Sequence, residues 1–277
     1  MNLLMLEKIQ QLLQFGEVEQ SLKWLEVALK EDPNDSEALY LRWSIQLRIL
    51  PSTEENATLL EASLSQIKQA APQDYLILAR RFPRLASTAL AYATSIAPHD
   101  PDVIQQMVQQ ALAMKQFDQA RLALEHFPSS LEYWEIRLQV ALAQNDPQEI
   151  IECATNALLW LDGRNYDKFF DRPARSIFLL QRCMTRIAIV EDLHLALRDL
   201  EKADLCNTGD PVIPMLFATL ELIQEDSADM RENLLETFST VPQALADEWV
   251  EFLQEVQHDH IREFLKAEGA SLLEHKT

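Results

Sequence analysis

The chain has 277 residues, 48% of them hydrophobic and 25% charged, with a formal net charge of -20. That balance does not suggest a disordered chain, and only 4 glycines argue against a β-sandwich or barrel built on tight turns. A surface this negative repels nucleic acid and anionic membranes and favours partners of basic character.

The opening MNLLMLEKIQ lacks the basic leader and the apolar run of a secretion signal. From Phe15 the pattern FGEVEQSLKWLEVALKEDPND predicts a turn at Gly16 and then a helix. Val18, Ser21, Leu25 and Ala28 fall on one face of it, and Pro33 stops it. Between 50 and 97 the helical period persists, but the prolines at 72 and 98 are too close together for a repeat of full length. The spacing returns in KQFDQARLALEHFPSS, where Phe117, Ala120, Leu124 and Phe127 make the stripe before Pro128. LEYWEIRLQVALAQ follows, with Trp134, Leu138 and Ala141 on one face, and then Ile150, Ala154 and Ala157 on the next helix.

A further copy places Leu193, Ala196, Leu200 and Ala203 ahead of Pro211. Alanine at these positions lets a neighbouring helix approach closely. Helix pairs are therefore expected at about 2–32, 36–71, 74–97, 102–127, 131–161, 174–206 and 212–240. Beyond them, Leu245, Trp249, Phe252 and Val256, then Ile261, Phe264 and Leu265, form the apolar stripes of an acidic terminal segment. Such a segment would cap the stack of hairpins at 241–277.

The pairs resemble the tetratricopeptide repeat family, whose helix–turn–helix unit carries Trp, Leu, Gly, Tyr, Ala, Phe, Ala and Pro at fixed places. Trp134 and Leu138 match first-helix positions, and Ala120, Ala157, Ala196 and Ala203 match second-helix alanines. Pro33, Pro72 and Pro98 match the closing proline. The resemblance implies an all-α solenoid of about six to seven antiparallel helix pairs. Residues 1–162 would hold the first pairs, 163–173 an inserted loop and 174–240 the rest, in one continuous array. It also implies a peptide- or protein-binding groove lined by the first helix of each pair. Counted from the matched alanines, that lining is Gln105, Gln109, Glu132, Glu135, Gln139, Gln181 and Thr185. One subgroup of the family grips a terminal carboxylate with a lysine and asparagines, but Leu12 stands where the asparagine beside Lys8 would fall.

The interval from Gly163 to Ser176 breaks the repeat register. Gly163 reads as a left-handed helix end, and Asp171 with Pro173 as the next helix start. Between them Arg164, Tyr166, Lys168, Phe169, Phe170, Arg172 and Arg175 mix cations with aromatic surface, as interfaces do. Asp162, Asp167 and Asp171 offset most of that charge, too far for general nucleic-acid affinity. The segment is either a contact loop or a joint whose aromatics tuck beneath it. Arg175, Arg182 and Arg186 share one stripe, with the last two expected to face away from the groove and to pair within the chain or with an acidic tail.

Charge is uneven along the chain: residues 191–277 hold 20 acidic and 6 basic residues, a net of -14. Asp247, Glu248, Glu251 and Glu255 mark the acidic surface there. No phosphate loop, nucleophile elbow or zinc-protease helix is present, so neither catalysis nor a cofactor or metal is expected. His258 and His260, if helical, would point about 200° apart and make poor co-ligands. Cys153, Cys183 and Cys206, 30 and 23 positions apart, fit buried thiols in a reducing cytoplasm. The function expected is a protein-interaction adaptor. Alternatives are an acidic chaperone or inhibitor of one basic client, and a peptide-sensing regulator.

Overall fold

The computed structural model describes residues 3–64, 67, 70–164 and 171–274, with side chains as far as Glu268. Every regular element among them is helical. They form two compact units, residues 1–128 and 129–277.

The first unit holds α1 (Leu3–Gln14), α2 (Val18–Glu31), α3 (Ser36–Ile49), α4 (Glu54–Leu64), α5 (Pro72–Arg81), α6 (Ala86–Ile96), α7 (Pro101–Ala113) and α8 (Phe117–Leu124). The helices pair as α1–α2, α3–α4, α5–α6 and α7–α8, and α2 packs also on α3 and α6 on α7. Gly16 adopts a φ of 75° in the first hairpin turn, a conformation that glycine alone enters without strain. Ser21, Leu25 and Ala28 of the predicted stripe lie at 0, 0 and 3% exposure. Burying a side chain the size of Leu25 contributes about 1.5–3 kcal/mol. Trp43, Leu60, Tyr75, Leu78, Phe82 and Ala93 form the core of the middle hairpins.

The irregular stretch has a physical account. α5 and α6 have only 10 and 11 residues, against 14 and 16 in the next unit's α9 and α10, and a 3-10 turn at Pro83–Leu85 joins them. Pro72 does not close the preceding hairpin as expected. It opens α5 from the first turn, where its missing N–H satisfies nothing that the helix needs. Pro101, Pro147 and Pro173 open α7, α10 and α11 in the same way.

The second unit holds α9 (Leu131–Gln144), α10 (Pro147–Asp162), α11 (Arg172–Ile189), α12 (Leu193–Cys206), α13 (Val212–Gln224), α14 (Ala228–Thr240), α15 (Gln243–Glu255) and α16 (Asp259–Glu274). The carboxylate of Asp146 and the hydroxyls of Ser130 and Ser227 accept from backbone N–H groups of the first turns they precede. Ala154, Ala157, Ala196, Leu200 and Ala203 are fully buried, so the small residues sit where helices meet. A single cluster runs from Leu138 through Cys153, Phe178, Leu216 and Leu234 to Phe264.

The terminal pair takes a specific position. α15 packs on α11 and α16 on α13, both first helices of their hairpins. Gln257 N–H donates to the Ala188 carbonyl at 3.0 Å, and the His260 ring meets the Leu222 carbonyl at 3.1 Å. Trp249, Leu253, Val256, Ile261 and Phe264 supply the apolar side of this contact. The expected stripe is the face that docks, and it docks on the first helices of the two preceding hairpins.

Candidate partner-binding surfaces

The predicted groove residues fall in separate units. Gln105 and Gln109 stand on α7 of the first, half-buried and exposed respectively. In the second unit Glu132 and Gln139 of α9 are exposed and Glu135 is half-buried. Burial, aided by the Glu132 charge, pushes the Glu135 carboxyl above the usual carboxylate range. Gln181 is half-buried on α11. Thr185 is largely buried, 8% exposed, and its hydroxyl donates to the Gln181 carbonyl at 2.7 Å.

Gln181 and Thr185 lie in a cleft of 160 Å³ that Leu142 and Asn145 border on one side and Phe252 and Glu255 of α15 on the other. The protein's own terminal pair therefore stands over this part of the first-helix face. No sequence signal could locate it there, because a stripe declares that a helix docks but not where.

On α15 the buried side chains are Ala246, Trp249, Val250 and Leu253. Asp247, Glu248, Glu251 and Glu255 alternate with them at helical spacing, so the carboxylates share the opposite side. Glu248, Glu251 and Glu255 are exposed, and Asp247 accepts a 3.0 Å hydrogen bond from the Gln243 amide. None of these four is ion-paired among the described residues.

Around the joint, the Arg164 guanidinium lies 4.3 Å from the centre of the Trp160 ring. Arg175 donates to Asp162 at 2.6 Å. Tyr166, Lys168, Phe169 and Phe170 lie outside the described residues. Arg172, exposed, and Pro173 belong to α11 and not to a loop. Gly163 is not left-handed: its φ is -73°, and its N–H donates to the Leu159 carbonyl as the helix ends. Its place needs no glycine, since an added Cβ would meet the Leu159 and Trp160 carbonyls at 3.6 Å.

The arginine stripe is absorbed inside the unit. Arg182 grips the buried Asp199 carboxylate through two hydrogen bonds of 2.8 and 2.6 Å and donates a third to Thr155 at 2.9 Å. Arg186 donates to the same Asp199. A residue from each of α10, α11 and α12 is tied by this network. In the first unit Asp74 does similar work, accepting from Tyr40 at 2.7 Å and Arg48 at 2.8 Å and so joining α5 to α3. Lys8 sits 4.9 Å from the Trp24 ring centre, engaged within its own hairpin.

His258 and His260 depart from the helical expectation, with ring centres 4.7 Å apart. His258 precedes α16, in the turn, and its ring nitrogen accepts from the His260 N–H. Burial, with the neighbouring His260, holds His258 below the usual imidazole range. Among the described residues no group of three or more His, Cys, Asp or Glu could hold a metal ion. Cys153 and Cys183 are buried, and that burial pushes each thiol up to about 12, so neither ionises at neutral pH. No described helix is long and apolar enough to cross a membrane.

No protein-family model matches the chain, and no curated protein does. Among solved structures it is similar to a chain in the crystal structure of the APC/C hetero-tetramer Cut9-Hcn1. The overlap has 13% identity and a TM-score of 0.35, covering 95% of this chain and 55% of the other. The present chain thus spans about half the length of that neighbour.

Proposed function

We propose that this chain is a tetratricopeptide-like interaction scaffold with no chemistry of its own, and that it holds a protein partner of basic character on its acidic final third. One observation carries the reading. The α15 carboxylates Asp247, Glu248, Glu251 and Glu255 form a stripe with no cation partner among the described residues. Their helix is fixed from behind by Trp249 and Leu253, 2 and 1% exposed. A rigid row of uncompensated charge steers a cationic partner and sets its orientation. The amides and acids of the first helices, Gln105 and Gln109 in one unit and Glu132, Glu135 and Gln139 in the other, offer further polar contacts to an extended chain.

Charge reversal tests it. A variant carrying Asp247→Lys, Glu248→Lys, Glu251→Lys and Glu255→Lys keeps the buried face of α15 intact and should keep its helical circular dichroism. Proteins retained from native lysate by the wild type should be lost from this variant, and their retention by the wild type should fall steeply as salt rises. An unchanged set of partners would overturn the assignment to α15.

A further inference from the structure

In each unit the stacking of hairpins leaves a recess where two successive second helices flank one first helix. In the first unit the recess lies between α6 and α8 over α7, with a volume of 440 Å³. Ser87, Gln110 and Gln119 are among its walls, and no charged side chain lines it. In the second unit the matching recess lies between α10 and α12 over α11, with a volume of 620 Å³. Here Arg175, Arg182 and Lys202 line the walls, with Asp162 the single acid. Packing makes the recess, and the sequence makes the second one cationic in a protein whose net charge is -20.

The two components of a recognition site are both present. Leu158 and Leu179, 9 and 5% exposed, give an apolar floor. Leu159 and Leu205, 62 and 74% exposed, raise apolar side chains at the rim. Arg182 is committed to Asp199 and Arg175 to Asp162, which leaves Lys202 as the cation still open. Arg175 pairs with Asp162 through Nη1 and has no partner at its buried Nε among the described residues. Lys202 is exposed and has no ion pair among them.

We infer that the α10–α12 recess docks a partner segment that presents an aliphatic side chain flanked by carboxylates. The aliphatic group would cover Leu158 and Leu179 between Leu159 and Leu205, while a carboxylate beside it meets Lys202 at the rim. Charge complementarity argues for this occupant: an acidic segment is the one kind that the rest of the surface repels, so only a local cationic site admits it. The site is separate from the α15 stripe and takes the opposite charge.

Fluorescence anisotropy with labelled short peptides tests the inference. The probes are a peptide alternating leucine with aspartate and glutamate, the same peptide with lysine for every acid, and the same with serine for every leucine. The acidic leucine peptide should bind, and raised salt should weaken it. Lys202→Glu and Leu205→Ser should each weaken it by roughly tenfold, and the other two probes should bind far less. Both substituted side chains are exposed, so melting should be unaltered. If Leu205→Ser melts early, Leu159→Ser tests the same wall. Equal binding of all three peptides, or full affinity in both variants, would overturn the site. So would self-association that Lys202→Glu abolishes while no peptide binds, which would make a second copy the occupant. Neither substitution touches the α15 carboxylates, so the failure of this site and of the proposed function are distinguishable.

Discussion

Asp74 and Asp199 are both buried carboxylates that receive guanidinium groups, yet their surroundings make their removal unequal. Arg48, the cation on Asp74, keeps a side chain 51% exposed, so water can solvate it if the partner is lost. Arg182 and Arg186 on Asp199 are only 13 and 10% exposed, with no such recourse. Asp199→Ala should therefore destabilise the second unit by about 3–5 kcal/mol, the cost of stranding buried charge. Asp74→Ala should cost nearer 1–3 kcal/mol, mostly for the orphaned Tyr40 hydroxyl and the lost acceptor. Urea denaturation of the two variants measures both. Equal losses would show that the exposure of the cation does not set the penalty. The sequence displayed Arg182 and Arg186 on one stripe, but Asp199, 17 and 13 positions away, gave no sign that it was their counter-ion.

At the scale of the element, the sequence located the helices well, because an apolar stripe at offsets of 3 and 4 is a local signal that needs no partner to be read. The expected pairs at 102–127, 131–161 and 212–240 differ by few residues from α7–α8, α9–α10 and α13–α14. What failed was local backbone detail and long-range docking. Gly163 ends its helix without turning left-handed, since glycine permits that conformation but does not require it, and Pro72 begins a helix, since proline suits the first turn as well as the residues past the last. His258 lies in a turn one residue before α16, so a helical angle did not apply to it. The docking of α15 and α16 on α11 and α13 rests on Trp249, Ile261 and Phe264, at 2, 0 and 0% exposure. Phe264→Ala should cost about 3–5 kcal/mol through the cavity it leaves. Hydrogen exchange should then quicken in α16, α15 and the facing turns of α13 while α9 and α10 keep their protection. A uniform acceleration across residues 129–277 would mean that the pair opens only with the whole unit.

For the whole molecule, two quantities divide unevenly along the chain: charge, with a net of -14 after residue 190 against -6 before it, and core. The resemblance led to one continuous array, and the chain gathers into compact units at 1–128 and 129–277. That boundary was not legible, since the repeat pattern runs through it without a linker rich in glycine or proline, and Phe127, Pro128 and Leu131 read as one more inter-helix turn. The cluster from Leu138 to Phe264 draws every member from the second unit, and the clusters around Leu25 and Trp43 draw theirs from the first. A contiguous core within one segment is what an independently folding piece requires. Residues 129–277 expressed alone should be strongly helical by circular dichroism and unfold in one cooperative urea transition, with near-ultraviolet signals from Trp134, Trp160 and Trp249 lost in step. A helical fragment that lacks those near-ultraviolet signals, or melts over a broad range, would show that the second core is completed only by the first 128 residues.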